Sequence, residues 1–400
     1  MPDSARGPAN PITHLLGPFT RTGGFYARSW STYLNRQPDE LPVARPTIAL
    51  AAQAFRDEIL LSGFSLLRGA PDAETLERIS TEVVAAQAFY GDKGWLDNPE
   101  GFFAPPPPAT DVTVKRVSSM GRNFERLSFD SDYEPHDGEP GRDRWRSYTR
   151  NNREYALMFR HRRPRPWLIC IHGAEMGRAA LDPMLFHAWH LYRDLDLNVV
   201  LPVLPLHGPR ASGPKFPSED VLDDVHGAAQ AVWDIRRLIT WIREQQPDAA
   251  IGVNGISLGG LISSLVASLD YGLTCAILGV PAVDLVNLVG RHAGLSGHTA
   301  LRHAMNSAKP LGRMISPLAL TPRVPKEGRF IYAGLADRLV HPRDQVTQLW
   351  EHWGRPEIQW YPGGHTGFFR SRPVQRFIDD ALVQSGLAEE SPPTTGRRRR

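Results

Sequence analysis

Residues 111–385 predict an α/β fold, a mostly parallel central sheet with helices on both faces. Two observations carry this. From Trp167 onward, short and nearly continuous apolar runs alternate with helix-length segments, the signature of strands buried on both sides. The run Ala249-Ala250-Ile251-Gly252-Val253 also passes through Asn254-Gly255-Ile256-Ser257-Leu258-Gly259-Gly260 directly into the apolar segment Leu261 to Leu269. That is a buried strand turning sharply into a helix packed on the sheet.

Taken in order, residues 1 to about 110 read as a helical extension with loops. Residues 47–61 are Ala-rich with apolar helical spacing. Residues 72–90 offer Asp72 as an N-cap and place Leu76, Ile79, Val83 and Val84 at helical intervals. Tyr26, Trp30, Tyr33 and Trp95 punctuate the remainder. The extension is expected to pack on the following domain, with a cover over one side of a substrate site as the functional alternative; none of its residues looks catalytic. The run Phe102-Phe103-Ala104 followed by Pro105 to Pro108 marks a boundary and reads as an extended spacer. Segments 111–118, 124–133 and 153–161 alternate as strands, joined first through Met120-Gly121-Arg122-Asn123, with a polar loop over 135–150.

The regular alternation follows. Residues 167–171 form a strand, 182–195 a helix and 198–205 a strand whose prolines disturb its end. A long helix over 218–245 has Ser218 as its cap and Glu219 and Asp220 in its first turn. The strand and helix around Ser257 come next, then a strand at 273–280. Residues 281–328 interrupt the pattern as an insertion. It resumes with strand 329–334, helix 343–353, strand 357–361 and helix 372–382.

Composition is that of an ordinary globular chain with a sizeable core. The formal net charge is +3, and four of the positive charges are the terminal run Arg397 to Arg400. The body is therefore near neutral, and charge argues for no nucleic-acid partner. The tail 386–400, with Ser391-Pro392-Pro393-Thr394-Thr395-Gly396 before the arginines, lacks core-forming residues and is expected to be disordered. Cys170 and Cys275 each fall in an apolar strand, which fits a reducing compartment better than a disulfide. No run is long and apolar enough to span a bilayer, and residues 1–10 lead into no signal-peptide core. The expected location is the cytoplasm.

In a parallel sheet, ligands bind beyond the C-terminal ends of the strands. Here those ends carry His172-Gly173, His207-Gly208, Ser257, Val280-Pro281, Asp337 and Gly364-His365. Gly255-Ile256-Ser257-Leu258-Gly259 is a Gly-x-Ser-x-Gly motif between strand and helix, the context of a nucleophile elbow. The glycines remove side chains that would collide in so sharp a turn. A serine nucleophile needs a base, and the base needs an orienting acid. His365 and Asp337 supply them, in the chain order Ser, Asp, His. Two backbone donors must meet the developing oxyanion. Leu258, at the helix N-terminus, gives one. Ala174, after His172-Gly173, gives the other, with Glu175 as second choice.

Several residues compete for these roles. Asp284 is the alternative acid. His341, near Asp337, reads as a helix-start or surface residue, and His172 as structural support for the oxyanion loop. His207 is a candidate pocket wall. His187 and His190 lack the further ligands that a metal site needs. No metal and no cofactor are required.

Together, Gly255-Ile256-Ser257-Leu258-Gly259, His172-Gly173, Gly334-Leu335-Ala336-Asp337 and Gly364-His365 resemble the α/β-hydrolase superfamily over residues 111–385. The resemblance implies an α/β-hydrolase fold and a serine hydrolase, esterase- or lipase-like, with Ser257, Asp337 and His365 as its triad. It makes 281–328 a cap that shapes the substrate pocket. The His-Gly-Ala-Glu loop departs from the glycine run associated with bulky tertiary esters. The expected reaction is cleavage of a small-molecule carboxylic ester through an acyl-enzyme. Leu285, Val286, Leu288, Val289, Leu295, Met305, Leu311, Met314 and Ile315 in the cap point to apolar or lipid-like substrates, or simply pack on the sheet. An acyltransferase or an amidase or peptidase would use the same residues. A non-catalytic binding protein on the same fold is the reading from another class.

Overall fold

The structure is a computed structural model that describes residues 11–35, 41–68, 71–119, 122–295 and 298–389. The expected disordered tail lies largely outside these residues, as do Met120 and Gly121. Nine strands form one sheet in the order β1-β2-β3-β5-β4-β6-β7-β8-β9. They are β1 (Thr113–Ser119), β2 (Arg122–Asp130), β3 (Arg153–Phe159), β4 (Trp167–Ile171), β5 (Asn198–Pro202), β6 (Ile251–Ile256), β7 (Cys275–Gly279), β8 (Arg329–Gly334) and β9 (Glu357–Tyr361). The first three run antiparallel and the rest are parallel to one another. Arg122 and Asn123 belong to β2, where they pair with Ser119 and Ser118. The expected four-residue connection is thus two residues long.

The helices are α1 (Pro11–Leu34), α2 (Ile48–Arg68), α3 (Ala73–Asp92), α4 (Arg142–Ser147), α5 (Asp182–Leu185), α6 (Ala188–Arg193), α7 (Val221–Gln245), α8 (Leu258–Leu269), α9 (Leu285–Leu295), α10 (Thr299–Ser307), α11 (Lys309–Met314), α12 (Val346–His352) and α13 (Arg372–Gln384). Three expectations change. The helix over 182–195 is broken into α5 and α6, because His187 between them sits in the left-handed region at φ 50°. The loop over 135–150 contains α4. The long helix α7 is capped by Asp220, whose carboxylate accepts from the N–H of Leu222 and Asp223. Ser218 instead bonds the backbone of Asp220.

Two apolar layers sandwich the sheet. One joins α3, α7, α8 and α11 through residues such as Ile79, Val225, Leu261 and Leu311. The other joins α6 and α13 to the opposite face through Leu191, Ile277, Phe330 and Phe377. Both cysteines are buried and free. Burial pushes the Cys275 thiol up to about 12 and the Cys170 thiol higher still, as for small core residues. Of residues 281–328, Leu285, Val286, Met305, Leu311, Met314 and Ile315 are all buried in the first layer. The polyproline run is laid along α7, where Arg237 donates to the Pro108 carbonyl at 3.0 Å and Arg236 to those of Phe103 and Ala104 at 3.3 Å.

A buried polar network, invisible in the sequence, pins the antiparallel edge to α7. Arg210 pairs with Glu154 of β3 and, at 2.8 Å, with Asp234 of α7, and it donates to the carbonyls of Asn151 and Val203. Ser131 donates to Asp234 and accepts from Gln230. Removing the central cation would strand two buried acids. Arg210→Ala is therefore expected to lower unfolding stability by about 3–5 kcal/mol, measured by urea denaturation. A loss under about 1 kcal/mol, typical of a surface pair, would show that the network is dispensable.

Candidate active site

The elbow is built by close backbone contact. A Cβ on Gly259 would lie 1.9 Å from the Ile171 carbonyl at the end of β4, and one on Gly255 would lie 2.1 Å from the Gly259 carbonyl. Only hydrogen fits at either position, so β4, β6 and α8 converge beneath Ser257. Ser257 takes φ 57° and ψ −115°, a conformation that costs on the order of 1–3 kcal/mol. It is held by its neighbours: its N–H donates to the Gly279 carbonyl at 2.8 Å, and its carbonyl accepts from Leu261 and Ala282.

Parallel registry brings the other strand ends to the same edge. Ile171 pairs with Gly255, Gly255 with Leu278, Gly279 with Tyr332, and Gly334 with Tyr361. The loops after β8 and β9 bond each other, Ala336 N–H to the Gly363 carbonyl and Leu335 N–H to that of Tyr361. His365 and Asp337 meet there. The His365 Nδ1–H donates to Asp337 Oδ2 at 2.7 Å, and Nε2 lies 3.1 Å from Ser257 Oγ. Asp337 Oδ1 accepts from the N–H groups of Leu339 and Val340, which fixes the carboxylate with both oxygens satisfied. Both His365 and Asp337 are buried, while Ser257 keeps partial exposure. Burial alone would depress the His365 pKa. The charge and hydrogen bond of Asp337, with a smaller contribution from Asp57, outweigh it and hold the imidazole above its ordinary value.

Leu258 opens α8, so its N–H has no carbonyl one turn back in the helix. The β4 loop passes beside Ser257: a Cβ on Gly173 would be 3.3 Å from that of Ser257. Ala174 follows directly. Glu175 is turned into the left-handed region at φ 61° and pairs with Lys215 at 3.0 Å. Behind the loop, the His172 Nδ1–H donates to the Gly173 carbonyl and Nε2 accepts from the Leu204 N–H. Burial, with neighbouring His207, pushes His172 down to about 3, so it is a neutral brace. His207 packs edge-on to it with ring centroids 5.0 Å apart and donates to the Pro205 carbonyl.

The competing residues are engaged elsewhere. Asp284 accepts from the Asn287 N–H and caps α9. His341 pairs with Asp344 at 3.3 Å. His190 bridges Asp194 and Asp379; hydrogen bonds to Asp379 and then Asp194 raise it to about 9 against the cost of burial. His187 stands outside the helix, its ring 5.6 Å from that of Phe369.

One residue that the sequence reading passed over lies against the site. Asp57, on α2, is fully buried, and its Oδ2 accepts from the backbone N–H of His365 at 2.8 Å and of Arg338 at 3.1 Å. Burial, then the charge of Asp337, pushes its carboxyl up to about 7. A signal was present. Leu50, Ala54, Asp57 and Glu58 share the buried face of α2, so two acids interrupt an otherwise apolar stripe.

No protein-family model matches the chain. It is 63% identical over 382 residues to Uncharacterized protein MT2702 of Mycobacterium tuberculosis (strain CDC 1551 / Oshkosh), which covers 94% of this chain and 92% of that one. Uncharacterized protein Rv2627c of Mycobacterium tuberculosis (strain ATCC 25618 / H37Rv) matches with the same identity and coverage. Among solved structures, acetyl xylan esterase 1 from Thermoanaerobacterium sp. JW/SL YS485 superposes with a TM-score of 0.50 at 17% identity, over 74% of this chain and 93% of that one. An acetyl xylan esterase from Paenibacillus sp. R4 gives a TM-score of 0.50 at 16% identity, over 74% and 94%. Among the described residues no helix is long and apolar enough to cross a membrane. The chain belongs to the same family as these two Mycobacterium tuberculosis proteins, and its fold is that of the α/β-hydrolases.

Proposed function

We propose that the protein is a serine hydrolase that cleaves carboxylic esters, with Ser257 as nucleophile, His365 as base and Asp337 as orienting acid. The observation that carries this reading is the continuous chain from Ser257 Oγ through the His365 imidazole to Asp337, at 3.1 Å and 2.7 Å. Ser257 Oγ attacks the ester carbonyl carbon while its proton passes to His365 Nε2. The oxyanion meets the N–H groups of Leu258 and Ala174, and the dipole of α8 favours it. His365 then gives its proton to the departing alkoxide, leaving an acyl-Ser257. Water, deprotonated by His365, releases the acid and regenerates the serine.

Ser257→Ala is expected to abolish hydrolysis of short p-nitrophenyl esters without loss of fold, and a fluorophosphonate should label Ser257. Undiminished turnover in the variant, or labelling of another residue in folded protein, would sink the proposal.

The pH dependence has a defined sign. His365 accepts a proton only when neutral, and its pKa is raised above 6.5. kcat/KM should therefore fall on acidification, with its midpoint above pH 6.5. Asp337→Asn should move that midpoint to lower pH and reduce kcat by about 10⁴-fold. A profile flat from pH 5 to 8 would exclude a histidine base, whose charge changes across about that range.

For the acyl group, the buried cap residues weigh against an apolar pocket. Leu285, Leu311 and Met314 are spent on the core, while Leu288 and Val289 stay half-buried. In a series from acetate to decanoate, kcat/KM is expected to decline with chain length; a rise would restore the lipid-like reading.

A further inference from the structure

Helix α2 docks on the loops after β8 and β9. Gln53 and Asp57 lie one turn apart on its buried side, and both reach into the loops that hold His365 and Asp337. Gln53 Oε1 accepts from the Gly364 N–H at 3.1 Å. Asp57 Oδ2 accepts from the His365 N–H at 2.8 Å and from the Arg338 N–H at 3.1 Å. Three backbone donors flanking the proposed base and acid thus end on side chains of the N-terminal extension. Glu58 adds an ionic clasp, accepting from Arg338 at 2.9 Å and from Arg21 of α1 at 2.6 Å. The Arg338 guanidinium also lies 5.2 Å from the ring centre of Phe25 on α1.

The His365 loop is shaped to receive this helix. A Cβ on Gly363 would be 2.6 Å from Gln53 Oε1, and one on Gly364 would be 2.6 Å from Asp57 Oδ2. Gly367 is crowded by Gln53 in the same way, at 2.9 Å. None of the three has a positive φ. The glycines around His365 therefore serve the close approach of α2 and, at Gly363 and Gly367, of the Tyr361 ring, not a left-handed turn.

We propose that Asp57, assisted by Gln53, is a positioning residue: α2 grips the backbone of both loops and so sets the His365–Asp337 pair against Ser257. The inference rests on the hydrolase reading for its catalytic consequence, but not for its structural one. It makes the extension a working part of the site, although Asp57 touches neither substrate nor Ser257. Without Asp57 Oδ2, the N–H groups of His365 and Arg338 lose their acceptor, the former in a buried place where an unmet donor is costly. The loops then relax, and the imidazole drifts from Ser257 Oγ.

The test uses the full chain with Asp57→Ala, Asp57→Asn, Gln53→Ala and Gly364→Ala. Asp57→Ala is expected to lower kcat by about 10²-fold, the effect of a displacement near 1 Å, with KM little changed. Asp57→Asn keeps an oxygen acceptor and should recover most of kcat, an outcome that separates positioning from charge. Gly364→Ala drives a methyl group onto the Asp57 carboxylate and should repeat the Asp57→Ala pattern. Gln53→Ala favours the helix and removes one acceptor, so it keeps the test open if Asp57→Ala fails to fold. In Asp57→Ala and Gln53→Ala, peptides over 335–342 and 361–369 should exchange amide hydrogen about tenfold faster. Wild-type kcat together with wild-type exchange in the folded variants would overturn the proposal. If the wild-type protein hydrolyses no ester, the hydrolase reading fails, and hydrogen exchange alone still decides whether α2 holds the loops.

Discussion

The meeting of three backbones beneath Ser257 is the constraint on which the site depends. Gly259 sits so close to the Ile171 carbonyl that no side chain could intervene. That contact lets α8 begin directly above the junction of β4 and β6 and forces Ser257 into its strained conformation. Strain of this size persists only where neighbouring structure determines it. Here the determinants are the Gly279 carbonyl on one side and the Ala282 and Leu261 N–H groups on the other. Registry then carries the geometry outward, strand by strand, until Asp337 and His365 stand at the same edge.

Electrostatics adds a second layer. Asp337 is buried yet fully satisfied, by two N–H groups and the His365 imidazole. Its partners are fixed before any reaction begins. His172 and His207, a few ångströms behind the β4 loop, follow the opposite course. Burial lowers their pKa to about 3 and about 4, so they brace the loop without placing positive charge behind it. Two histidine environments within one sheet edge are thus separated by whether a carboxylate reaches the ring.

Much of this was legible in the residues. The Gly-x-Ser-x-Gly segment implied a strand-to-helix turn because glycine at those spacings has a steric reason to be there. Continuous apolar runs implied buried parallel strands, and each of the nine strand segments expected is present. What was not legible depends on distant pairing. Nothing local distinguishes Asp220 from Ser218 as the cap of α7, since both are good acceptors two residues apart. His187 breaks a helix that its neighbours favour, and no proline or glycine marks the break. The Arg210 network joins residues 131, 151, 154, 203 and 234, whose proximity exists only after folding. The cap's apolar residues read equally as pocket or core, because periodicity shows that a side chain is buried and not what it is buried against.

Asp57 sharpens the same point from the side of energetics. Glu58, its neighbour, is matched by Arg338 and Arg21, and its burial is compensated. Among the described residues Asp57 has no ionic partner of its own and its Oδ1 no hydrogen-bond partner, and it lies near a second carboxylate. An isolated buried acid opposes stability, and an Ala or Leu on that face of α2 would pack without the cost. Departures from local consistency of this kind gather at functional sites. The geometry supplies the compensation: one oxygen of Asp57 gathers the main chain of the two loops that carry Asp337 and His365. A helix docked by apolar contact alone could slide by a fraction of an ångström at little energetic cost, whereas a helix docked through directed hydrogen bonds to those N–H groups cannot.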